Sequence, residues 1–393
     1  MRWPRRVNGC AITGYAVCSS VGVTVADARR ALSEGASPLR PPPVALPFAT
    51  VCGVVDPGLP AVTGALAAYD GRLGRMVSAL ADDLDPALKS ALARFGASRV
   101  AAVLGTSTGG LAETERAWHQ WRSSGALPAE DHLAKRHAFH AAVDLLRARY
   151  GLGGPGYVLS TACSSGGKVF AAAQRLLDVG LADAVVVGAV DTLCETTLRG
   201  FHALGILSST PCRPFARDRD GLNLGEGGAL FVVTREGDGP ARLLGVGESS
   251  DGYHMSSPHP EGLGAKAAMR AALDRAGALP DEVDYVNAHG TGTARNDEVE
   301  AEAIAEVLGV TVPVASTKGQ TGHTLGAAGA IEAAFAIAAI ESGVIPASLR
   351  SRPLDPAVRV DVTESRREAR VRRVLSNSFG FGGSNVSVLL GAP

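Results

Sequence analysis

A chain of 393 residues with 46% apolar residues and 48 glycines can bury a large core, either in two modules or in one fold of two similar halves. Its formal net charge of −1 excludes a domain built to neutralise many phosphates, so no nucleic-acid partner is expected. Gly, His, Glu or Arg interrupts every apolar stretch before about 18 residues, which argues against a membrane span. Six dispersed cysteines (Cys10, Cys18, Cys52, Cys163, Cys194 and Cys212), with no CxxC pair or adjacent histidine, disfavour zinc and suit thiols in a reducing, cytoplasmic setting.

In chain order, the basic start (Met1 to Arg6) passes into a partly apolar stretch that Asn8, Gly9 and Thr13 break well short of a signal-peptide core; it is read as the first strand. An amphipathic helix follows over 26–32. Residues 99–104 form a short apolar strand closed by GTSTGG. The region 109–150 carries Trp118, Trp121 and many charges and reads as an insertion that caps the site or meets a second subunit. A strand over 157–159 leads into a helix over 164–179, where Val169, Phe170, Ala173, Leu176 and Leu177 recur at helical spacing. Strands over 184–190 and 283–286, helices over 264–276 and from about 324 to Gly343, and strands over 371–375 and 386–390 complete the pattern. Strand, Gly-rich turn and helix in alternation predict an α/β protein with largely parallel sheets covered by helices. Ser160-Thr161 and Ser316-Thr317 both open turns into helices, and both halves begin with a strand and an amphipathic helix. The chain is therefore expected to be an internal duplication with its seam near residue 250, the halves being 1–250 and 251–393.

Four segments carry the chemistry. Ser160-Thr-Ala-Cys163-Ser-Ser-Gly-Gly167 sits between a strand and a helix, so Cys163 meets the free N–H groups and positive end of that helix, which favour a thiolate nucleophile; a packed cysteine at a tight turn is the alternative. Asn287-Ala-His289-Gly-Thr-Gly-Thr293 follows a strand, where α/β sheets place their ligands, with hydroxyls at Thr291 and Thr293 and carboxylates at Asp297 and Glu300. By itself His289 could merely cap the strand. Ser316-Thr-Lys318-Gly-Gln-Thr-Gly-His323 runs into an Ala-rich helix in which Glu332 needs a partner if buried, and Lys318 is the natural one. Asn377-Ser-Phe-Gly-Phe381-Gly-Gly-Ser-Asn385 has the glycines of a backbone that approaches a ligand closely and moves.

These four blocks, with AITGYAVCSSVG, GTSTGG, PFARDRDGLNLGEGGALFVV and SSDGYHMSSPHPEG, resemble the elongating β-ketoacyl-acyl-carrier-protein synthases of fatty-acid and type II polyketide synthesis over nearly the whole chain. The resemblance implies the thiolase-like fold, five layers α-β-α-β-α from two βαβαβαββ halves, normally dimeric. It implies that Cys163 carries the acyl group, that His289 and His323 stabilise the enolate formed when a malonyl thioester loses carbon dioxide, and that Lys318, paired with Glu332, orients His323. The N–H groups of Cys163 and Phe381 would form the oxyanion hole, worth about 3 kcal/mol per donor in comparable sites. Gly380 and Gly382 would let Phe381 gate the malonyl step. Thr291 and Thr293 would meet the phosphopantetheine arm, and Asp297 and Glu300 would hold the active-site loops. Neither metal nor redox cofactor is implied.

Two departures stand out. Ala216 replaces an acidic residue common after Arg-Pro-Phe, and Thr108 in GTSTGG replaces the larger apolar gate to the acyl pocket. The STACSSGGKVFAAAQRLL stretch is similar to synthases of aryl polyene or highly reducing type II pathways. A thiolase would need a late second cysteine, yet none follows Cys212; an initiating Cys-His-Asn synthase would carry asparagine at 323. A chain-length-factor subunit, which is not catalytic, usually lacks the nucleophile present here. The implied partners are an acidic acyl carrier protein, for which Arg72, Arg75, Lys135, Arg136 and Arg199 are candidate basic contacts, and a second subunit, either a copy of this chain or a chain-length-factor-like protein.

Overall fold

The computed structural model describes residues 9–56, 58–128 and 132–393. Its N-terminal half contains strands β1 (Cys10–Cys18), β2 (Val100–Gly105), β3 (Gly156–Leu159), β4 (Ala184–Asp191) and β5 (Gly227–Thr234). The C-terminal half contains β6 (Ala241–Ser250), β7 (Tyr285–Asn287), β8 (Pro313–Ala315), β9 (Asp361–Val362), β10 (Arg373–Gly380) and β11 (Ser384–Gly391). Side by side the strands run β1-β5-β4-β2-β3 in one half and β6-β11-β10-β7-β8 in the other, with β9 added outside β8. Pair by pair the directions match as well: two antiparallel ladders, then two parallel ones. The chain is thus a tandem duplication, and a short antiparallel ladder, Cys10↔Leu243 to Ile12↔Ala241, joins the halves. The repeat counts β6 with the second half, ten residues ahead of the expected seam.

Helices α2 (Arg72–Phe95) and α5 (Ala141–Tyr150) pack on the outer face of the first sheet, and α8 (Leu263–Ala276) and α9 (Ala294–Leu308) on the outer face of the second. Between the sheets lie α6 (Ser165–Asp178) and α11 (Ala328–Ser342), each touching strands of both halves. The result is the expected five layers. Burial on both faces explains why β4 reads as an unbroken apolar run: Val185 and Val187 face the central layer and Val186 the outer one. The segment Leu325–Ser342 is long and apolar enough to cross a bilayer by composition, but it is mostly buried between the sheets.

Several expectations are corrected. The first strand begins at Cys10, and residues 1–8 lie outside the described residues. The counterpart of α8 is α2; α1 (Val25–Glu34) packs on α11 and β1 instead. Residues 141–150 are not insertion but the core helix α5, the counterpart of α9, so the extra material is α3 (Leu111–Ser124), α4 (Leu133–Arg136) and their connections. Strands β10 and β11 continue through the Gly-Phe motif, leaving a turn of Phe381–Gly383.

Candidate active site

Each central helix is entered by a non-glycine residue in the left-handed region three positions before it: Ala162 (φ 52°) before α6 and Leu325 (φ 53°) before α11. Such a residue costs about 1–2 kcal/mol. Around Ala162 the turn is braced by Thr161 N–H donating to Ser165 Oγ (2.9 Å), Ser165 Oγ to Ala162 O (2.6 Å) and Ser164 Oγ to Thr161 O (2.7 Å). This equivalence pairs Ser160-Thr161 with His323-Thr324, so the earlier match to Ser316-Thr317 was out of register; those residues precede a short extra helix, α10 (Lys318–Thr321). After the strained residue the first half has Cys163 and the second Gly326, where a Cβ would stand 2.7 Å from Ser107 Oγ. One half therefore supplies the nucleophile and the other its histidine. The two helices meet almost backbone to backbone: a Cβ on Gly166 would lie 2.7 Å from both Ala330 N and Gly326 O.

That crossing brings Cys163 Sγ to 3.0 Å from His323 Nε2. The His289 ring stands edge-to-face with His323, centroids 5.3 Å apart at 86°, and donor atoms of all three residues lie within 4.8 Å of one another. All three are buried. Burial, then the Lys318 charge, holds both imidazoles well below their usual pKa, and at His289 the neighbouring His323 adds to the effect. They are neutral hydrogen-bond donors and acceptors. Burial also pushes the Cys163 thiol up to about 11, with Lys318 and the N–H groups of Phe381 and Cys163 pulling it down. The helix end therefore does not leave a resting thiolate: desolvation outweighs it, and the sulfur is a thiol in contact with a neutral imidazole. Those same two N–H groups face the sulfur. Cys163, His289 and His323 are also a donor set that could hold a thiophilic cation.

Lys318 Nζ pairs with Glu332 Oε1, both buried, while burial raises the Glu332 carboxyl to about 7 against the pull of Lys318. Glu300, also raised to about 7 by burial, accepts from the N–H groups of His289 (2.8 Å) and Gly290 (2.7 Å). Asp297 accepts from Phe215 N–H (2.8 Å) and Gly292 N–H (3.1 Å). Thr291 and Thr293 hydroxyls lie 2.9 Å apart and line a cavity of about 380 Å³ whose walls include Cys163, both histidines, Gly380 and Phe381. Gly382 (φ 78°) needs the freedom of glycine, and its N–H donates to Met255 O (2.7 Å).

Other expected residues lie elsewhere. Thr108 is not part of the described lining; its hydroxyl and N–H both donate to the buried Asp191 at 2.8 Å. Arg72 pairs with the buried Glu226 and donates to Val55 O (2.8 Å), which makes it internal structure, not rim. Arg75 pairs with Asp70, Lys135 lies over the Tyr69 ring, and Arg136 donates to Ala68 O, so these three gather around 68–70. Arg199 pairs with Glu195 one helical turn away. Ala216 is buried, and the loop is tied instead by Arg219, which donates to the carbonyls of Ala216, Thr293 and Ala294. Sequence reading missed Asp191, which accepts from Thr106, Ser107, Thr108 and Ala327 and links the GTSTGG turn to α11. It also missed Phe201, stacked on Phe381 with centroids 5.7 Å apart at 14°. A lone Asp ending an apolar strand was the one visible signal.

Fold and site define a thiolase-like acyltransferase with a Cys-His-His centre. The β-ketoacyl synthase N-terminal domain family matches residues 78–238 and the β-ketoacyl synthase C-terminal domain family residues 240–352. The 3-oxoacyl-[acyl-carrier-protein] synthase 2 of Mycobacterium tuberculosis is 36% identical over 315 residues, 75% of each chain. A solved chain from the complex of the ketosynthase ApeO with its chain length factor ApeC, from Xenorhabdus doucetiae, superposes with a TM-score of 0.93 at 37% identity, covering all of both chains. One from the ishigamide ketosynthase/chain length factor gives 0.88 at 29% identity over 98% of this chain and 99% of that one. This chain belongs to the β-ketoacyl synthase family.

Proposed function

We propose that the chain moves an acyl group from an acyl-carrier-protein thioester onto Cys163 and condenses it with malonyl carrier protein to give the 3-oxoacyl thioester. The observation that carries this reading is the contact of a buried thiol with one of two neutral imidazoles beside two inward-facing N–H groups. In loading, Sγ attacks the thioester carbonyl as its proton passes to His323 Nε2, the N–H groups of Cys163 and Phe381 hold the oxyanion, and the proton leaves on the departing carrier thiol. In condensation, the malonyl carboxylate departs as carbon dioxide and its electron pair remains as an enolate, to which neutral His289 and His323 donate. The enolate carbon then attacks the acyl-Cys163 carbonyl, and the released sulfur takes up a proton. Breaking the carbon–carboxylate bond supplies the carbanion, so the balance calls for no metal or redox cofactor.

The narrow hydroxylated wall at Thr291 and Thr293 suits the phosphopantetheine arm, and Arg75, Lys135, Arg136 and Arg199 are the basic side chains offered to an acidic carrier protein. The second subunit is a copy of this chain or a chain-length-factor-like protein, as in the two ketosynthase complexes, and the STACSSGGKVFAAAQRLL stretch favours a polyketide or aryl polyene pathway over housekeeping fatty-acid synthesis. Six unpaired cysteines fit a cytoplasmic location. A non-catalytic chain-length-factor role is disfavoured by the intact Cys163, His289 and His323.

The test pairs two variants. Cys163→Ala abolishes condensation, whereas Cys163→Gln does so while malonyl decarboxylation continues; full product from either would refute the assignment. Intact-mass analysis against a panel of acyl carrier thioesters reads the loaded residue and the preferred chain.

A further inference from the structure

In the reaction given above Phe381 supplies an oxyanion N–H, and its ring lines the cavity, so what holds that ring sets how often the N–H is in place. Its ring stacks on Phe201, near the end of α7 (Glu195–Ala203). This nine-residue helix is too short to be stable without help, and it has few anchors. Leu198 is buried in a small apolar cluster, and His202 stacks on Phe48. The N-cap residue Cys194 gives no side-chain cap. Instead the first-turn N–H groups of Glu195 and Thr196 each donate, at 2.7 Å, to one oxygen of Glu115, 80 residues upstream on α3. A carboxylate chelating two free N–H groups at a helix N-terminus is a strong, directional tie. His119, one turn further along α3, adds a contact to Glu195 at 3.2 Å. Among the described residues of α3, Ala117 alone is buried; the helix holds α7 more than it fills a core.

We propose that Glu115 is a positioning residue for the gate: by clamping the start of α7 it keeps Phe201 stacked on Phe381 and the Phe381 N–H aimed at the Cys163 sulfur. The proposal rests on the condensing reaction given above. Its consequence is asymmetric. Acyl loading needs the Phe381 N–H held in place, while malonyl decarboxylation draws on His289 and His323 and asks of the Phe381 ring only that it move aside, so loosening the clamp slows the first and spares the second. A full oxyanion donor is worth about a hundredfold or more in rate, and a donor misplaced part of the time costs on the order of tenfold.

The experiment measures both half-reactions in the full chain with whatever partner it requires: loading of Cys163 by time-resolved intact mass, and carbon dioxide release from malonyl carrier protein. Glu115→Ala is expected to slow loading about tenfold with decarboxylation within about twofold of wild type, and Glu115→Gln, which keeps one acceptor oxygen, to recover part of the loss. Phe201→Ala should show the same split, and adding Glu115→Ala to it should cost little more, because the relay is already cut. Equal losses in both half-reactions, or losses that multiply in the double variant, overturn the proposal. A melting curve run alongside shows whether a variant has simply unfolded; if Glu115→Ala does, the Glu115→Gln and Phe201→Ala pair decides. Wild-type protein that never loads at Cys163 would instead sink the enzymatic reading itself.

Discussion

Gly166→Ala perturbs the helix crossing on which the site depends. The added methyl would stand 2.7 Å from Ala330 N and from Gly326 O, about 0.7 Å inside the 3.4 Å at which such contacts become ordinary. Both neighbours are main-chain atoms in a close-packed layer, so relief must come from separating α6 and α11. Cys163 rides on the turn into α6 and His323 on the turn into α11, so the 3.0 Å contact between sulfur and imidazole opens to about 3.7 Å and stops being an effective proton-transfer path. Overpacking of this kind costs about 1–3 kcal/mol of stability, and a misplacement near 1 Å costs on the order of a hundredfold in rate. The two effects separate by assay: thermal melting should drop by a few degrees, while loading of Cys163, followed by intact mass well below that temperature, should fall by about two orders of magnitude. A Gly166→Ala protein that melts lower yet loads at the wild-type rate would show that the crossing does not set the sulfur–imidazole distance.

Lys318→Met should leave the Glu332 carboxylate buried beside no cation and destabilise the fold by about 3–5 kcal/mol in chemical denaturation, with much of the loss restored by adding Glu332→Gln; a Lys318→Met protein as stable as wild type would mean the pair is not an ion pair. With its thiol raised to about 11, Cys163 should be alkylated by iodoacetamide at a rate that climbs about tenfold per pH unit from 7 to 10; a plateau reached near pH 7 would show a resting thiolate after all. Because both histidines are held neutral, malonyl decarboxylation should show no titration near 6.5. Their depressed pKa values add stability above the unfolded value of 6.5 that is lost as pH falls, whereas Glu300 and Glu332, raised from 4.5 to about 7, contribute stability below 4.5 that is lost as pH rises to 7. Between 4.5 and 6.5 the two pairs cancel, and the buried Asp191 and Asp297, whose carboxyls burial also raises, lose their contribution as pH rises; a melting temperature that climbs across that window by an amount worth two protons would contradict the pKa directions.

Cys163, His289, Lys318 and His323 could be picked out because each lies in a turn of small residues next to an apolar strand or helix, a pattern that local backbone physics imposes whatever the rest of the fold does. The duplication was legible for the same reason, but its register was not. The strained residues Ala162 and Leu325 that align the halves look ordinary in sequence, since a left-handed alanine or leucine is held there by tertiary packing. Asp191, 83 residues away, claims the Thr108 hydroxyl, a partner that no local pattern shows. Arg72 looked like surface until Glu226 did the same.

The sequence by itself determined which chemical groups are available and, through strand and helix periodicity, the α/β layering that presents them. Only the tertiary structure decided their state. A helix N-terminus read alone favours a thiolate, yet the closing of two sheets over the site removes the water that would stabilise one, leaving a neutral thiol against a neutral imidazole. Solvation is a property of everything packed around a group, and no window of neighbouring residues contains it.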